Sequence, residues 1–251
     1  MSTLLMRLAA PLQSWGVESK FERRLTGRTP SKSGVIGMCA AALGYKRWDV
    51  EKLQQLISLR FGVRVDRAGA LLKDFHMAHE ESFWDLSDRS KVNRSKNSSS
   101  FLTNRYYLAD AAFLVGLEGK DEVLMDVDEA LRYPMFPLYL GRRSCPPEGK
   151  VSLGVYQETL EVILESHPTI DFMNTYQRVK SGGQRVVIDV NDNQEKKQSK
   201  HSYLLRDLPV SYDPVQRKHD YRSVYEYSIL TATSIGDHDA LAAAEEVVTC
   251  T

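Results

Sequence analysis

The sequence predicts an α+β protein organised around one βαββαβ unit, and three observations carry that expectation. An apolar strand pattern opens the chain. Two helix patterns then lead to a strand pair split by a long polar insertion, and a clean amphipathic helix precedes a last strand. Residues 3–8 (Thr-Leu-Leu-Met-Arg-Leu) form the first strand pattern, ended by Ala9-Ala10-Pro11. A polar, glycine-containing loop follows to Ser33. Residues 33–43 read as a small-residue helix, with Ser33 as the expected N-cap and Gly44 at its C-terminal end. Side chains this small suit close packing on a sheet. Asp49 is expected to cap a second helix that carries Leu53, Leu56 and Ile57 at helical spacing. Phe61–Val65 alternates as a strand and turns at Ala68-Gly69 towards Leu71-Leu72.

Residues 85–100 are polar, basic and serine-rich; they suit no core and are expected as an excursion between two strands. Strand character returns over 102–117. Residues 121–132 place Val123, Leu124, Val127 and Leu131 on one helical face, and Tyr133-Pro134 ends that helix. This is the element order of a ferredoxin-like or RRM-like domain with insertions, assigned to residues 1–155. Residues 156–251 are expected as a mostly β C-terminal extension that completes or flanks it. There, 186–190, 203–206 and 222–230 read as strands, 191–202 as a polar loop and 238–248 as a short acidic helix.

The chain carries 33 basic and 33 acidic side chains, a balance that taken alone argues against nucleic acid. The balance hides segregation. Residues 20–47 hold seven Lys and Arg against one acid, and 89–106 hold five with none, while 74–88 and 118–129 are acidic. Phosphate backbones are held by local cationic clusters, so a zero sum does not exclude a short, shaped site. The 42% hydrophobic content argues against global disorder, and no apolar run reaches the roughly 18 residues of a membrane-spanning helix. Three scattered cysteines make no CxxC pair or disulfide framework, and no signal-peptide pattern opens the chain, so a reducing cytoplasm is expected.

Several motifs invite chemistry. Thr26–Ser33 suggests a nucleotide loop, but Thr26 and Ser31 stand where the Walker pattern needs glycines, and Pro30 removes an amide donor. The same loop, carrying Arg28 and Lys32 before a helix, suits RNA phosphates. His76-x-x-His79 resembles a metal pair, yet positions three apart on a strand face opposite sides, so no metal site is expected. Cys145 beside Arg142 and Arg143 is expected as a packed thiol rather than a nucleophile. The two adjacent arginines present guanidinium forks that suit phosphate. Gln13-Ser14-Trp15, after the first strand, offers two small polar groups and an aromatic face for bases.

Taken together, Leu4–Gly16 (LLMRLAAPLQSWG), Thr26–Gly37 (TGRTPSKSGVIG), Asp74-Phe75-His76, Tyr107–Phe113 and Pro137–Pro146 (PLYLGRRSCP) resemble the CasD-type subunits of type I-E CRISPR Cascade complexes, members of the RAMP superfamily. The likeness spans residues 3–155 in order and is faint from about 156 onward. It implies a non-catalytic RNA-binding subunit, without a cofactor, that caps the 5′ handle of the crRNA. It also implies a β-hairpin thumb, here within about 76–108, that pushes between bases. Neighbours would be CasC-type backbone subunits and a CasA-type large subunit, with target DNA reached only through the assembled complex. Arg28, Lys32, Arg142 and Arg143 are then expected at handle phosphates, Gln13, Ser14 and Trp15 near handle bases, and Arg105 and Tyr106 at the thumb base. The rival expectation is a metal-independent endoribonuclease that processes repeat RNA, with His76 and His79 as base and acid; in type I-E systems that task belongs to CasE.

Overall fold

The computed structural model describes residues 2–16, 19–20, 22–79, 100–169, 184–190, 202–213 and 217–229. In chain order its elements are β1 (Ser2–Ala9), β2 (Leu12–Gln13), β3 (Ser19–Lys20), β4 (Arg23–Arg24), α1 (Lys32–Ala42), α2 (Val50–Ile57), β5 (Arg60–Arg67), β6 (Ala70–His79), β7 (Ser100–Ala109), β8 (Ala112–Gly119), α3 (Asp121–Arg132), β9 (Ser152–Tyr156), α4 (Leu160–Ser166), β10 (Gln184–Asp189), β11 (Ser202–Ser211) and β12 (Lys218–Ile229). The expected excursion over 85–100 except Ser100, the loop 191–202 except Ser202, and the tail helix 238–248 lie outside the described residues.

One sheet runs β11-β12-β10-β5-β8-β1-β9, with every neighbouring pair antiparallel. Its β9-β1-β8-β5 half has the 4-1-3-2 order of a ferredoxin-like unit, and the C-terminal strands extend it from β5. The central strands β1 and β8 read as apolar runs rather than alternating patterns because both faces of the sheet are covered. Leu4, Met6 and Leu8 enter a core with α1, α2 and α3. Leu5 and Leu114 point the other way, into a second core with Leu160, Ile163 and Leu164 of α4.

That second core changes the outlook for function. An RRM binds RNA on its open sheet face, and here α4, an element the sequence reading missed, covers it. The approach is close enough that a Cβ at Gly62 would sit 2.8 Å from Leu164 Cδ1, and one at Gly116 would overlap Leu160 Cδ1. Fully buried Arg64 holds the far end of α4. Its Nε meets Asp66 at 2.6 Å, Nη1 donates to the Leu164 carbonyl at 2.7 Å, and Nη2 donates to the Pro168 carbonyl at 2.9 Å. The guanidinium thereby satisfies carbonyls that the helix end leaves without partners.

Two local expectations are corrected. The cap of α1 is Ser31, not Ser33: Ser31 is extended and its hydroxyl accepts from the Gly34 amide at 3.3 Å. Asp49 does stand at the start of α2, but its carboxylate binds the Lys46 amide at 2.9 Å instead of capping the helix. The inserted hairpin is formed by β6 and β7, whose arms start at Ala70, before residue 76. It turns out of the main sheet at Gly69, where φ is +70° and a Cβ would collide with the Ala109 carbonyl. β2 and β4 flank β7 on its other edge.

Gly116→Ala is expected to lower unfolding free energy by about 1–3 kcal/mol through overpacking against Leu160. Urea denaturation measures it. A midpoint equal to wild type would mean that α4 does not seat on Gly116.

Candidate nucleic-acid interface

Three short segments meet at the hairpin root. The Ser14 amide donates to the Leu140 carbonyl (3.1 Å), the Gly27 amide to the Trp15 carbonyl (2.9 Å), and the Trp15 amide to the Thr26 hydroxyl (2.9 Å). Residues 139–145 close on themselves through Leu140 N–H to the Cys145 carbonyl and Cys145 N–H to the Arg142 carbonyl. Gly141 makes this approach possible: its φ is +90°, and any Cβ there would overlap the Ser14 carbonyl oxygen.

The approach buries three expected base-contacting residues. Gln13 is wholly inside, its amide donating to the Leu8 and Ala111 carbonyls at 3.1 and 2.8 Å. The Trp15 indole, 1% exposed, donates to Gln13 Oε1 at 3.0 Å. Ser14 donates to the Tyr106 carbonyl at 3.2 Å. A base cannot stack on a ring inside the core, so in this structure the motif serves as packing beneath the candidate site rather than as a stacking surface.

Lys32 is corrected for a different reason. Its ammonium is buried against Asp189 at 3.0 Å, and its backbone N–H donates to Asp207 at 2.8 Å. Asp207 also receives Arg222 Nε and Nη2 at 2.6 and 3.0 Å, and Arg222 pairs with Asp189 as well. The lysine charge is already neutralised, so it is not available to a phosphate.

The site's arginines gather at the hairpin root, some exposed and some half-buried. Arg24 of β4 stands beside Arg105 of β7 in register. Arg142 lies over the Tyr107 ring, 4.8 Å from its centroid, and donates to the Arg24 carbonyl at 2.7 Å. Arg28 and Arg143 are exposed on the two loops. The buried Tyr107 phenol is driven up by burial, but hydrogen bonds with Ser144, Arg142 and Arg105 outweigh this and lower its pKa. Arg105 Nε and Arg142 Nη1 are enclosed and have no hydrogen-bond partner among the described residues. Two guanidinium donors without acceptors, beside three exposed arginines, form a seat for anionic oxygens.

Tyr106 lies on the opposite ribbon face from Arg105, because successive side chains on a strand alternate. The apolar positions Leu71, Phe75, Met77 and Leu102 share the Tyr106 face by register. Arg24, Tyr107 and Ser144 are site residues the sequence reading missed. The Arg23-Arg24 pair was a visible signal for the first, whereas Tyr107 looked like one more strand aromatic. Cys145 is buried, and burial raises its thiol pKa above the ordinary value, outweighing Ser144 and Arg142. Among the described residues no group of three or more His, Cys, Asp or Glu is placed to hold a metal.

A ferredoxin-like unit with a hairpin between its second and third strands and arginines at the hairpin root defines a RAMP-type fold. Comparison with known proteins makes the class specific. The family model described as CRISPR-associated protein (Cas_Cas5) matches residues 3–225. The Cascade subunit CasD of Escherichia coli K12 is 35% identical over 168 residues, covering 62% of this chain and 72% of that protein. A solved CRISPR RNA-guided surveillance complex contains a chain with 31% identity and a TM-score of 0.69, covering 90% of both chains. A crystal structure of a Cas protein gives 33% identity and a TM-score of 0.64, covering 91% of this chain and 95% of that one. The chain therefore belongs to the CRISPR-associated Cas5 family.

Asp207→Ala is expected to cost about 3–5 kcal/mol, because Arg222 and the start of α1 lose a buried partner. Arg28→Ala, on an exposed loop, is expected to stay within about 0.5 kcal/mol. Denaturant midpoints of the two variants check the contrast; equal shifts would refute it.

Proposed function

We propose that this protein is a non-catalytic, RNA-binding subunit of a type I-E Cascade surveillance complex in the cytoplasm, and that it grips the 5′ handle of the crRNA at the hairpin root. The observation that carries the reading is the pair of enclosed, unpartnered donors on Arg105 and Arg142 within the row of Arg24, Arg28 and Arg143. Single-stranded RNA is held by cations spaced along its backbone, with bases splayed away from it. The covered sheet face removes the usual stacking platform, which moves recognition to the loops. Family membership and the relative named as a Cascade subunit support the assembly part of the reading. On this reading CasC-type and CasA-type subunits are the neighbours, target DNA is met only through the complex, and no cofactor is required.

The row divides the work. Arg142 is held rigid by its stack on Tyr107 and its bond to the Arg24 carbonyl, so little ordering cost remains when a phosphate docks. Arg28 and Arg143 are exposed point contacts at either side. Asp74 is the cross-strand partner of Arg105, so the positive potential of the row comes mainly from Arg24, Arg28, Arg142 and Arg143.

The variant Arg142→Ala/Arg143→Ala is expected to weaken binding of single-stranded repeat RNA and to make the slope of log K against log salt shallower by roughly 1.4, about 0.7 per lost phosphate contact. Lys32→Met is expected to leave that slope unchanged. Fluorescence anisotropy across a salt series reads both; an unchanged slope in the double variant removes these arginines from the interface. Labelled repeat RNA incubated with the protein in EDTA is expected to stay intact, and cleavage abolished by His76→Ala would establish the endoribonuclease reading instead.

A further inference from the structure

Arg143, the chain neighbour of Arg142, also borders a groove of about 600 Å³ between α1 and the segments 45–47 and 136–141. Its floor is a side of α1 made mostly of small residues, Gly34, Gly37, Ala40 and Ala41, with Met38 beside them. Its walls include the rings of Tyr45, Phe136, Tyr139 and Tyr212. Tyr212 is fixed in place by donating its hydroxyl to the Ser33 carbonyl at 2.8 Å, and a Cβ at Gly37 would already touch that ring at 3.6 Å. Lys46, Arg47, Arg143 and Arg217 supply four cations, and no Asp or Glu is among the described lining residues.

Aromatic walls, a floor of mostly small residues and a purely cationic lining match the chemistry of one nucleotide: a flat π-face and an anionic backbone. The volume lies within the range of small-molecule sites, roughly 300–1,000 Å³. We infer that this groove receives one unstacked nucleotide of the bound RNA, its base among the aromatic rings and its phosphate on the cations. The inference rests on the RNA-binding reading above and adds a base pocket to its row of phosphate contacts. Because Arg142 and Arg143 are consecutive, a strand whose backbone lies on the first is delivered to the groove by the second. Stacking accepts any base, so the pocket selects an exposed, unpaired nucleotide more than a sequence.

The test uses the purified full chain, a fluorescein-labelled single-stranded repeat RNA, and a set of the same RNA with one abasic residue at each position in turn. Wild type is expected to lose roughly 5- to 100-fold in affinity at one position or two adjacent ones, the range for a lost base–aromatic stack. Phe136→Ala/Tyr139→Ala is expected to weaken the intact RNA by a similar factor and to erase the sensitivity at that position only. Arg217→Ala, an exposed change that spares the core, is expected to weaken binding and to make the salt slope shallower by about 0.7. The base pocket is refuted if the aromatic variant binds intact RNA as wild type does, or if it weakens every abasic RNA further by the same factor. A groove that instead takes an acidic segment of a partner protein gives the first of those results together with loss of assembly. If the Arg142→Ala/Arg143→Ala variant binds RNA normally, the interface itself fails; if that variant weakens binding while the groove variants do not, only the pocket fails.

Discussion

The start of α1 is held by charge that the chain brings from far away. Asp207 on β11 accepts the backbone N–H of Lys32 and the guanidinium of Arg222, while Asp189 on β10 accepts Lys32, Arg222 and the Phe61 amide. A buried carboxylate is tolerable only when cations and N–H donors surround it, so none of these groups can leave without stranding another. The network ties the C-terminal strands to the helix that supports the 26–31 loop, and that loop is hydrogen-bonded to Trp15. The cationic row and the groove above α1 both depend on where this helix begins. The C-terminal strands therefore belong to the same mechanical unit as the interface, and their connection contributes Tyr212 and Arg217 to the groove.

A second constraint is the cover on the sheet. The ferredoxin-like sheet has two faces, and α4 with its Leu160, Ile163 and Leu164 covers the one that α1 and α3 leave. With both faces of the four-strand unit covered, the loops at the hairpin root, the hairpin and the groove over α1 are the surfaces among the described residues that bear on the proposed interface. The hairpin divides chemically: Arg105 and Tyr107 face the arginine row, while Leu71, Phe75 and Met77 stand exposed on the other side. A two-stranded ribbon has no interior in which to hide those apolar side chains, so they remain at its surface.

Much of the fold was legible from periodicity. The 121–132 pattern gave α3, with Leu124, Val127 and Leu131 buried; the apolar run of β1 and the small-residue helix also lie where they were expected. α4 was not legible, since a seven-residue helix contributes barely two turns of pattern. Strands β2, β3 and β4 have two residues each and no period to read. The candidate site was half legible. Arg28 and Arg143 are exposed and Arg105 and Arg142 are half-buried at the hairpin root, whereas Gln13, Ser14, Trp15 and Lys32 are buried. A polar or aromatic residue beside a strand end looks the same in sequence whether it meets solvent or closes the core.

By itself the sequence determined the order of the longer strands and of α1 to α3, the segregation of charge into basic loops and acidic stretches, and the kinship carried by its short motifs. These are local properties, set by spacing and side-chain chemistry along the chain. Only the tertiary structure decided which cations are free. Lys32 and Arg142 both follow a small residue in a basic loop, yet Lys32 meets Asp189 from more than 150 positions away and is neutralised. Arg142 meets Tyr107 and the Arg24 carbonyl, neither of which cancels its charge, and it keeps a donor to spare. Whether a charge is spent inside the fold depends on its partner, and that partner is chosen by packing.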